Sequence, residues 1–191
     1  MSEPSVIEVA LQCAAAFEQV RAGYFLGGSL ASSLQGEPRA TNDIDFVVDL
    51  QANQVEPLTQ ALGSDFEVDV EALREAVMRR GSWNIFHLPS VTKVDLFLLR
   101  TGAFDRSEFS RRRRVVLTAD GRGLYIKSPE DSVLRKLLWF REGGELSSTQ
   151  WRDVVQILRL AAGTLDAAYL REWAGQLGIQ ELLARATSDA G

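Results

Sequence analysis

The chain is poor in the side chains that most often bind metals and move protons in enzymes. Its 191 residues include one cysteine, Cys13, and one histidine, His87. A single cysteine excludes an internal disulfide and a multi-cysteine zinc site. A single histidine excludes histidine-rich metal sites and argues against a Ser-His-Asp triad. We expect Cys13 and His87 to be structural, so any chemistry has to rely on carboxylates.

Long apolar runs are also missing. No stretch approaches the roughly 20 apolar residues that are needed to cross a membrane. The N-terminal segment Met1–Ile7 contains Glu3 and lacks the basic cluster and apolar core of a secretory signal. We therefore expect a cytoplasmic protein with no membrane partner.

Acidic residues outnumber basic ones, 26 to 21, but arginine is concentrated in one place. The net charge is −5, which argues against broad electrostatic binding to nucleic acid. Four arginines nevertheless follow one another at Arg111–Arg114. Such a run could bind a polyanionic acceptor such as a transfer RNA, although a solvated turn before a strand is the favoured interpretation.

The order of apolar and polar residues predicts an α+β fold. With 46% hydrophobic residues, the chain has enough apolar surface for one substantial core. Helical periodicity and β-branched runs are identified by their spacing. Strands are predicted at 44–50, 66–70, 84–88, 91–99, 114–118 and 124–127, and helices at 6–21, 54–62, 71–80, 130–141, 148–160, 165–173 and 180–186.

The pattern of predicted secondary structure changes after residue 127. Ser128-Pro129-Glu130 combines a capping residue, a proline at the first helical position and an acid in the first turn, which is typical of a helix start. Only helical patterns follow. The sequence therefore predicts an α/β domain at 1–127, with a mixed sheet flanked by helices, and a helical bundle at 128–191.

Two aspartates lie on one face of a predicted buried strand. Alternate residues of a strand point to the same side, so the Cβ atoms of Asp43 and Asp45 are expected to lie about 6–7 Å apart. Carboxylates at that spacing can converge on one or two magnesium ions. For an isolated Asp-x-Asp pattern, a turn residue followed by an edge charge is the favoured interpretation.

Two further features favour a functional site. Asp95 lies in a run that is apolar on both faces, where an unpaired carboxylate is costly and should meet a cation or a donor; Lys93 is the structural alternative for that partner. Gly27-Gly28-Ser29 allows the backbone to approach a ligand, and helix-start amides favour phosphate oxygens. Ser29 is predicted to cap a helix over 30–34.

The order of these motifs resembles the nucleotidyltransferase superfamily, which has the DNA polymerase β-like fold. The likeness spans about residues 24 to 160, and within the superfamily the chain is most similar to the small bacterial branch of AbiEii-type toxins and minimal nucleotidyltransferases. The motifs that carry it are Gly27-Gly28-Ser29, Arg39-Ala40-Thr41-Asn42-Asp43-Ile44-Asp45, Lys93-Val94-Asp95, Leu134-Arg135-Lys136-Leu137 and Arg152-Asp153-Val154.

The resemblance implies a role for each matching residue. It implies that Gly27, Gly28 and Ser29 hold the phosphates of a nucleoside triphosphate. Asp43, Asp45 and Asp95 would bind Mg²⁺, two ions in the expected arrangement. Asp95 would also help to deprotonate an acceptor hydroxyl, which attacks the α-phosphate and expels pyrophosphate.

Three other residues are candidates for nucleotide binding. Arg39 and Thr41 flank the strand and are expected to position the nucleotide, with a surface arginine and a turn threonine as the alternatives. Lys136 borders the apolar face of its helix, where it reaches either a phosphate or an acid such as Asp153. A lysine that extends along the surface to solvent is an equally good interpretation.

The leading hypothesis is a magnesium-dependent nucleotidyltransferase whose acceptor is RNA, a protein hydroxyl or a small molecule. A second hypothesis keeps the fold without catalysis, as a nucleotide-binding or protein-binding member of a toxin–antitoxin pair. A third treats the Asp-x-Asp pattern as incidental, and it requires the three acids to lie apart.

Overall fold

The computed structural model of the protein describes residues 4–37 and 41–191. Its strands form one mixed seven-stranded sheet in the order β3-β4-β5-β2-β1-β7-β6, so the predicted α+β fold is confirmed. The strands are β1 Gly23–Leu26, β2 Ile44–Asp49, β3 Phe66–Glu67, β4 Ser82–His87, β5 Thr92–Leu98, β6 Arg113–Val116 and β7 Gly123–Ile126. The α-helices are α1 Val6–Gln19, α2 Gly28–Gln35, α3 Val55–Leu62, α4 Val70–Arg79, α5 Ala103–Ser110, α6 Pro129–Glu142, α7 Ser148–Leu160, α8 Ala167–Leu177 and α9 Gln180–Ala190.

Contacts divide the chain into two compact units. The sheet unit comprises the described residues within Met1–Leu30 and Ala40–Ile126, and the helical unit comprises those within Ala31–Arg39 and Lys127–Gly191. The grouping of the end of α2 with the C-terminal helices was not predicted from the sequence. The domain boundary at residues 127 and 128 stays a prediction.

One face of the sheet is packed against helices of the same unit. Ile44, Phe46 and Val48 alternate along β2 and are at most 1% exposed. Phe17 of α1 meets Phe46 edge to face, with their ring centroids 5.2 Å apart. This apolar layer fixes the register of β2, because a slip by one residue would turn its aspartates into the core.

The opposite face of the sheet is covered at β1 by helix α5, which the sequence analysis did not identify. Phe25 is fully buried and lies 6.1 Å from Phe109 of α5 between ring centroids. A Cβ at Gly23 would lie 2.8 Å from the Phe109 ring, so the glycine admits the aromatic side chain. The helix depends on these tertiary contacts more than on a strong local signal.

The helical unit has its own apolar core. Val133, Leu137, Val154 and Ile157 of α6 and α7 are completely buried, as amphipathic helices require when they pack on one another. A bilayer-spanning helix needs about 20 residues, and none of the helices in the described part of the chain meets the requirements of length and apolar character.

Candidate active site

The centre of the sheet brings two of the three predicted acids together. β2 and β5 run parallel, and their register places Asp45 opposite Asp95. Neighbouring strands lie about 4.8 Å apart, and residues in register point to the same face. Both aspartates are partly exposed while their neighbours on the other face are buried. The third hypothesis required dispersed acids, and this pairing argues against it.

The third acid, Asp43, lies immediately before β2. Its backbone N–H donates to the Thr41 hydroxyl at 3.4 Å, so Thr41 helps to form the turn that leads into the strand. Asp43 and Asp45 are two residues apart, as an alternating pattern requires for a shared face. The role of Thr41 toward a nucleotide stays a prediction, and Arg39 lies outside the described residues.

The glycine turn is in direct contact with Asp45. The Gly27 N–H donates to the Asp45 carbonyl oxygen at 2.7 Å. Gly28 has a φ of +57°, and a Cβ built on it would lie 1.8 Å from Asp45 Oδ2. Any larger residue at position 28 would therefore overlap this carboxylate. The positive φ adds a second reason for glycine, since side chains disfavour it.

Helix α2 begins at Gly28. The prediction that Ser29 caps a helix starting at residue 30 is therefore wrong in position: Ser29 lies within the first turn. The amides of a first helical turn have no partner inside the helix and favour anions. The structure places the start of α2 beside Asp45, while phosphate binding by Gly27, Gly28 and Ser29 stays a prediction.

Lys93 is a component of the site that the sequence analysis treated only as an alternative. Its Nζ donates to Asp95 Oδ2 at 2.8 Å. The pKa of Lys93 is held above its ordinary value, first by this hydrogen bond and then by the negative charges of Asp95, Asp43 and Asp45. The Lys93 ammonium therefore contacts Asp95 and lies within electrostatic range of Asp43 and Asp45.

These acids do not form a preassembled metal site. Among the residues that the structure describes, no three side chains of His, Cys, Asp or Glu are grouped closely enough to hold a metal ion. Asp95 is engaged by Lys93 and Asp45 packs on Gly28. Magnesium, however, is often held by one or two carboxylates together with substrate phosphates. The Asp45–Asp95 pair fits that mode, with oxygen donors of the right chemistry.

The open face beside Asp95 carries residues that the sequence analysis missed. Antiparallel pairing places Asn84 opposite Asp95, and Phe86 opposite Lys93. Phe86 is 40% exposed and Phe97 41%. Phe97 follows Asp95 by two residues on the same face. The alternation of β4 could have indicated this face, but only the register shows which residues flank the acid.

Two side chains outside the acid cluster have structural partners. His87 is buried, and its Nδ1 forms a 2.7 Å hydrogen bond with the Ser90 hydroxyl, which confirms its structural assignment. Arg112 stacks 4.1 Å from the centre of the Phe109 ring. β6 begins at Arg113, one residue earlier than predicted, so Arg113 and Arg114 are strand residues and not part of the preceding turn.

Lys136 forms a buried ion pair inside the helical unit. Its Nζ donates to Asp153 Oδ2 at 2.9 Å, and the two side chains are 5% and 8% exposed. Of the two predicted partners, the structure shows the acid. Ser32, Gly36 and Arg152 lie with Asp153 around a small pocket of the same unit. Binding of a nucleotide by Lys136 stays a prediction.

Replacement of Lys136 by Met is expected to lower the free energy of unfolding by roughly 3 kcal/mol, because it leaves the buried Asp153 carboxylate without its ammonium partner. Urea denaturation measures this loss. The Lys136→Met/Asp153→Leu double variant is expected to recover most of the lost stability, because two buried apolar side chains carry no cost of removing charge from water. If the double variant is stable and still binds nucleotide normally, Lys136 has no role in nucleotide binding. Equal stability of the Lys136→Met variant and the wild type would contradict the argument that the buried Asp153 carboxylate depends on Lys136.

Comparison with solved structures identifies the fold. The solution structure of the antibiotic-resistance factor ANT(2'')-Ia matches 95% of this chain and 97% of its own, with a TM-score of 0.55 and 14% sequence identity. The chain has a nucleotidyltransferase fold. A crystal structure of ANT(2'')-Ia in complex with adenylyl-2''-tobramycin matches 92% of this chain and 99% of its own, with a TM-score of 0.53 and 15% identity.

A third matching structure is of a different protein. The crystal structure of an antigenic nucleotidyltransferase-like protein from Paracoccidioides brasiliensis covers 94% of this chain and 92% of its own, with a TM-score of 0.54 and 20% identity. No family model matches the chain, and neither does any curated protein. Membership of the AbiEii-type branch therefore stays a prediction.

Proposed function

We propose that the protein transfers a nucleoside monophosphate from a nucleoside triphosphate to an acceptor hydroxyl and releases pyrophosphate. The observation that carries the proposal is the register of Asp45 with Asp95 beside Gly28, within a nucleotidyltransferase fold. Carboxylates next to helix-start amides combine the two requirements of this reaction, which are neutralisation of phosphate charge and fixed positioning of the triphosphate.

In the proposal, the two substrates lie on different sides of Asp45. β2 lies between β1, which leads into the glycine turn, and β5, which carries Asp95. In the proposal, the triphosphate lies against the amides of Gly28 and Ser29. The acceptor hydroxyl approaches from the β5 side, where Asp95 accepts its proton. Magnesium held by Asp43, Asp45 and Asp95 would supply charge neutralisation at the phosphates.

The chemical class of the acceptor is a separate question. ANT(2'')-Ia has been crystallised with adenylyl-2''-tobramycin, which makes a small molecule such as an aminoglycoside one candidate for this chain. RNA and a protein hydroxyl are the other candidates. The net charge of −5 gives no broad electrostatic support to RNA.

One specific contact is an argument for the non-catalytic alternative. The ion pair between Lys93 and Asp95 engages a carboxylate that the reaction needs, and a permanent pair would leave a nucleotide-binding or protein-binding module, for instance in a toxin–antitoxin pair. We favour catalysis, because an ion pair with a 40% exposed lysine is weak, at about 1 kcal/mol or less. Such a pair can open when a stronger ligand arrives.

The test is a labelling experiment. The protein is incubated with Mg²⁺ and each α-³²P-labelled nucleoside triphosphate in turn, together with total cell RNA, cell protein or a small-molecule set that includes tobramycin. We expect the label to enter one acceptor fraction with stoichiometric release of pyrophosphate. A nucleotide-dependent rise in melting temperature without label in any fraction would support the binding module instead.

A further inference from the structure

Lys93 lies where the charge of the site is concentrated. It precedes Asp95 by two residues on β5 and therefore shares its face. The ammonium donates to Asp95 Oδ2 at 2.8 Å. Extension of the β2–β5 register, in which Ile44 pairs with Val94, places Lys93 beside Asp43. The lysine thus reaches the acid cluster from the end at which the glycine turn lies.

The ion pair is accessible and therefore easily exchanged. The Lys93 side chain is 40% exposed and that of Asp95 is 15% exposed. Exposed ion pairs contribute about 1 kcal/mol or less, because water competes for both partners. The ammonium can consequently leave Asp95 at low cost, provided that another anion is available to it.

We propose that Lys93 is a positioning residue that couples the binding of the divalent cation to the binding of the triphosphate. Without nucleotide, the ammonium occupies an oxygen of Asp95 and opposes the approach of a cation to the acids. When the triphosphate lies on the glycine turn, its phosphate oxygens give Lys93 a new partner and Asp95 becomes available. This inference rests on the proposed function, since it assumes that the acids serve a metal–nucleotide complex.

The coupling has a physical basis in charge balance. Magnesium is usually bound through one or two carboxylates together with substrate phosphates. The reaction therefore needs a cation that binds together with the triphosphate, and not a cation that binds to the acids alone. A lysine that competes with it discourages the binding of metal without substrate. The same lysine supports nucleotide binding, because its charge is then matched by phosphate.

The experiment measures Mn²⁺ binding from the electron paramagnetic resonance signal of the free ion, with and without a non-hydrolysable α,β-methylene nucleoside triphosphate. Lys93→Met is expected to bind Mn²⁺ alone about tenfold more tightly than the wild type, because a positive charge and a competitor for Asp95 are both removed. It is expected to bind the nucleotide less tightly, so that the nucleotide enhances Mn²⁺ binding less than in the wild type. Lys93→Arg is expected to behave like the wild type.

The control is Arg79→Met, which removes one positive charge from an exposed residue of α4 that pairs with Glu75. It is expected to change the affinity for Mn²⁺ alone less than about twofold, because the Arg79 charge is 79% exposed to solvent and is already paired with Glu75. Equal Mn²⁺ affinities of the Lys93→Met variant and the wild type, or equal shifts in the Lys93 and Arg79 variants, would overturn the coupling role.

The result also separates this inference from the proposed function. If Mn²⁺ binds to the wild type with nucleotide and Asp45→Asn abolishes that binding, the metal–nucleotide site stands whatever the Lys93 variants show. If the wild type binds no Mn²⁺ even with nucleotide, the proposed function and the coupling role both fail. Melting temperatures of all variants establish that each is folded.

Discussion

Asp45→Asn is expected to lower nucleotidyl transfer by at least about a thousand-fold, because a metal ion at the reacting phosphate contributes several kcal/mol and each factor of ten needs about 1.4 kcal/mol. The amide keeps the shape of the side chain but loses its charge. The fold should remain intact, since the change relieves repulsion among carboxylates on one face. Pyrophosphate release measures the rate, and urea denaturation measures the stability.

Asp49→Asn is the matched control for this substitution. Asp49 lies on the same strand and the same face as Asp45, but continuation of the β2–β5 register, in which Val48 pairs with Leu98, places it beside Leu99 and not beside an acid. Its variant should keep activity within about twofold of the wild type, as surface changes away from a site usually do. Equal activity of the Asp45 and Asp49 variants would remove Asp45 from the mechanism.

Gly28→Ala is expected to abolish transfer to a similar extent and also to destabilise the protein. The added Cβ would lie 1.8 Å from Asp45 Oδ2 and 2.8 Å from Asp45 Cβ, so that rotation of the carboxylate alone cannot relieve the overlap. The turn and β2 have to move apart. Such overpacking costs about 1–3 kcal/mol, in addition to about 1–2 kcal/mol for a side chain at positive φ.

Gly121→Ala separates the cost of a side chain at positive φ from the cost of the overlap with Asp45. Gly121 also has a positive φ, of +87°, but a Cβ on it would have no heavy atom within 4 Å. Its variant is expected to show only the backbone cost and to keep full activity. Urea denaturation of both variants gives the difference that belongs to the contact with Asp45. A Gly28 variant as stable and as active as the Gly121 variant would show that the glycine turn does not determine the site.

The sequence was informative where a local pattern has only one compatible structure. The β-branched, apolar character of residues 44–50 predicted a buried strand, and β2 occupies Ile44–Asp49. The cap, proline and acids at Ser128-Pro129-Glu130-Asp131 predicted a helix start, and α6 begins at Pro129 with the Ser128 hydroxyl accepting from Asp131 N–H. These signals are local, so they do not depend on the rest of the chain.

The features that could not be predicted depend on tertiary contacts. α5 has a weak local signal and is packed through Phe109 against Phe25. The sequence indicated that Asp95 needs a cation or a hydrogen-bond donor as its partner. Only the 2.8 Å distance between Lys93 Nζ and Asp95 Oδ2 shows that Lys93 is that partner in this structure. It also indicated a close approach at the glycine turn, whereas the contact of Gly28 with Asp45 follows from the pairing of β1 with β2.

The most direct test of the central claim is a crystal structure of the protein with Mg²⁺ and a non-hydrolysable nucleoside triphosphate. We predict that carboxylate oxygens of Asp45 and Asp95 contact the ion, and that the amides of Gly28 and Ser29 donate to phosphate oxygens. A triphosphate bound elsewhere on the protein, with no cation at Asp45 or Asp95, would contradict the account.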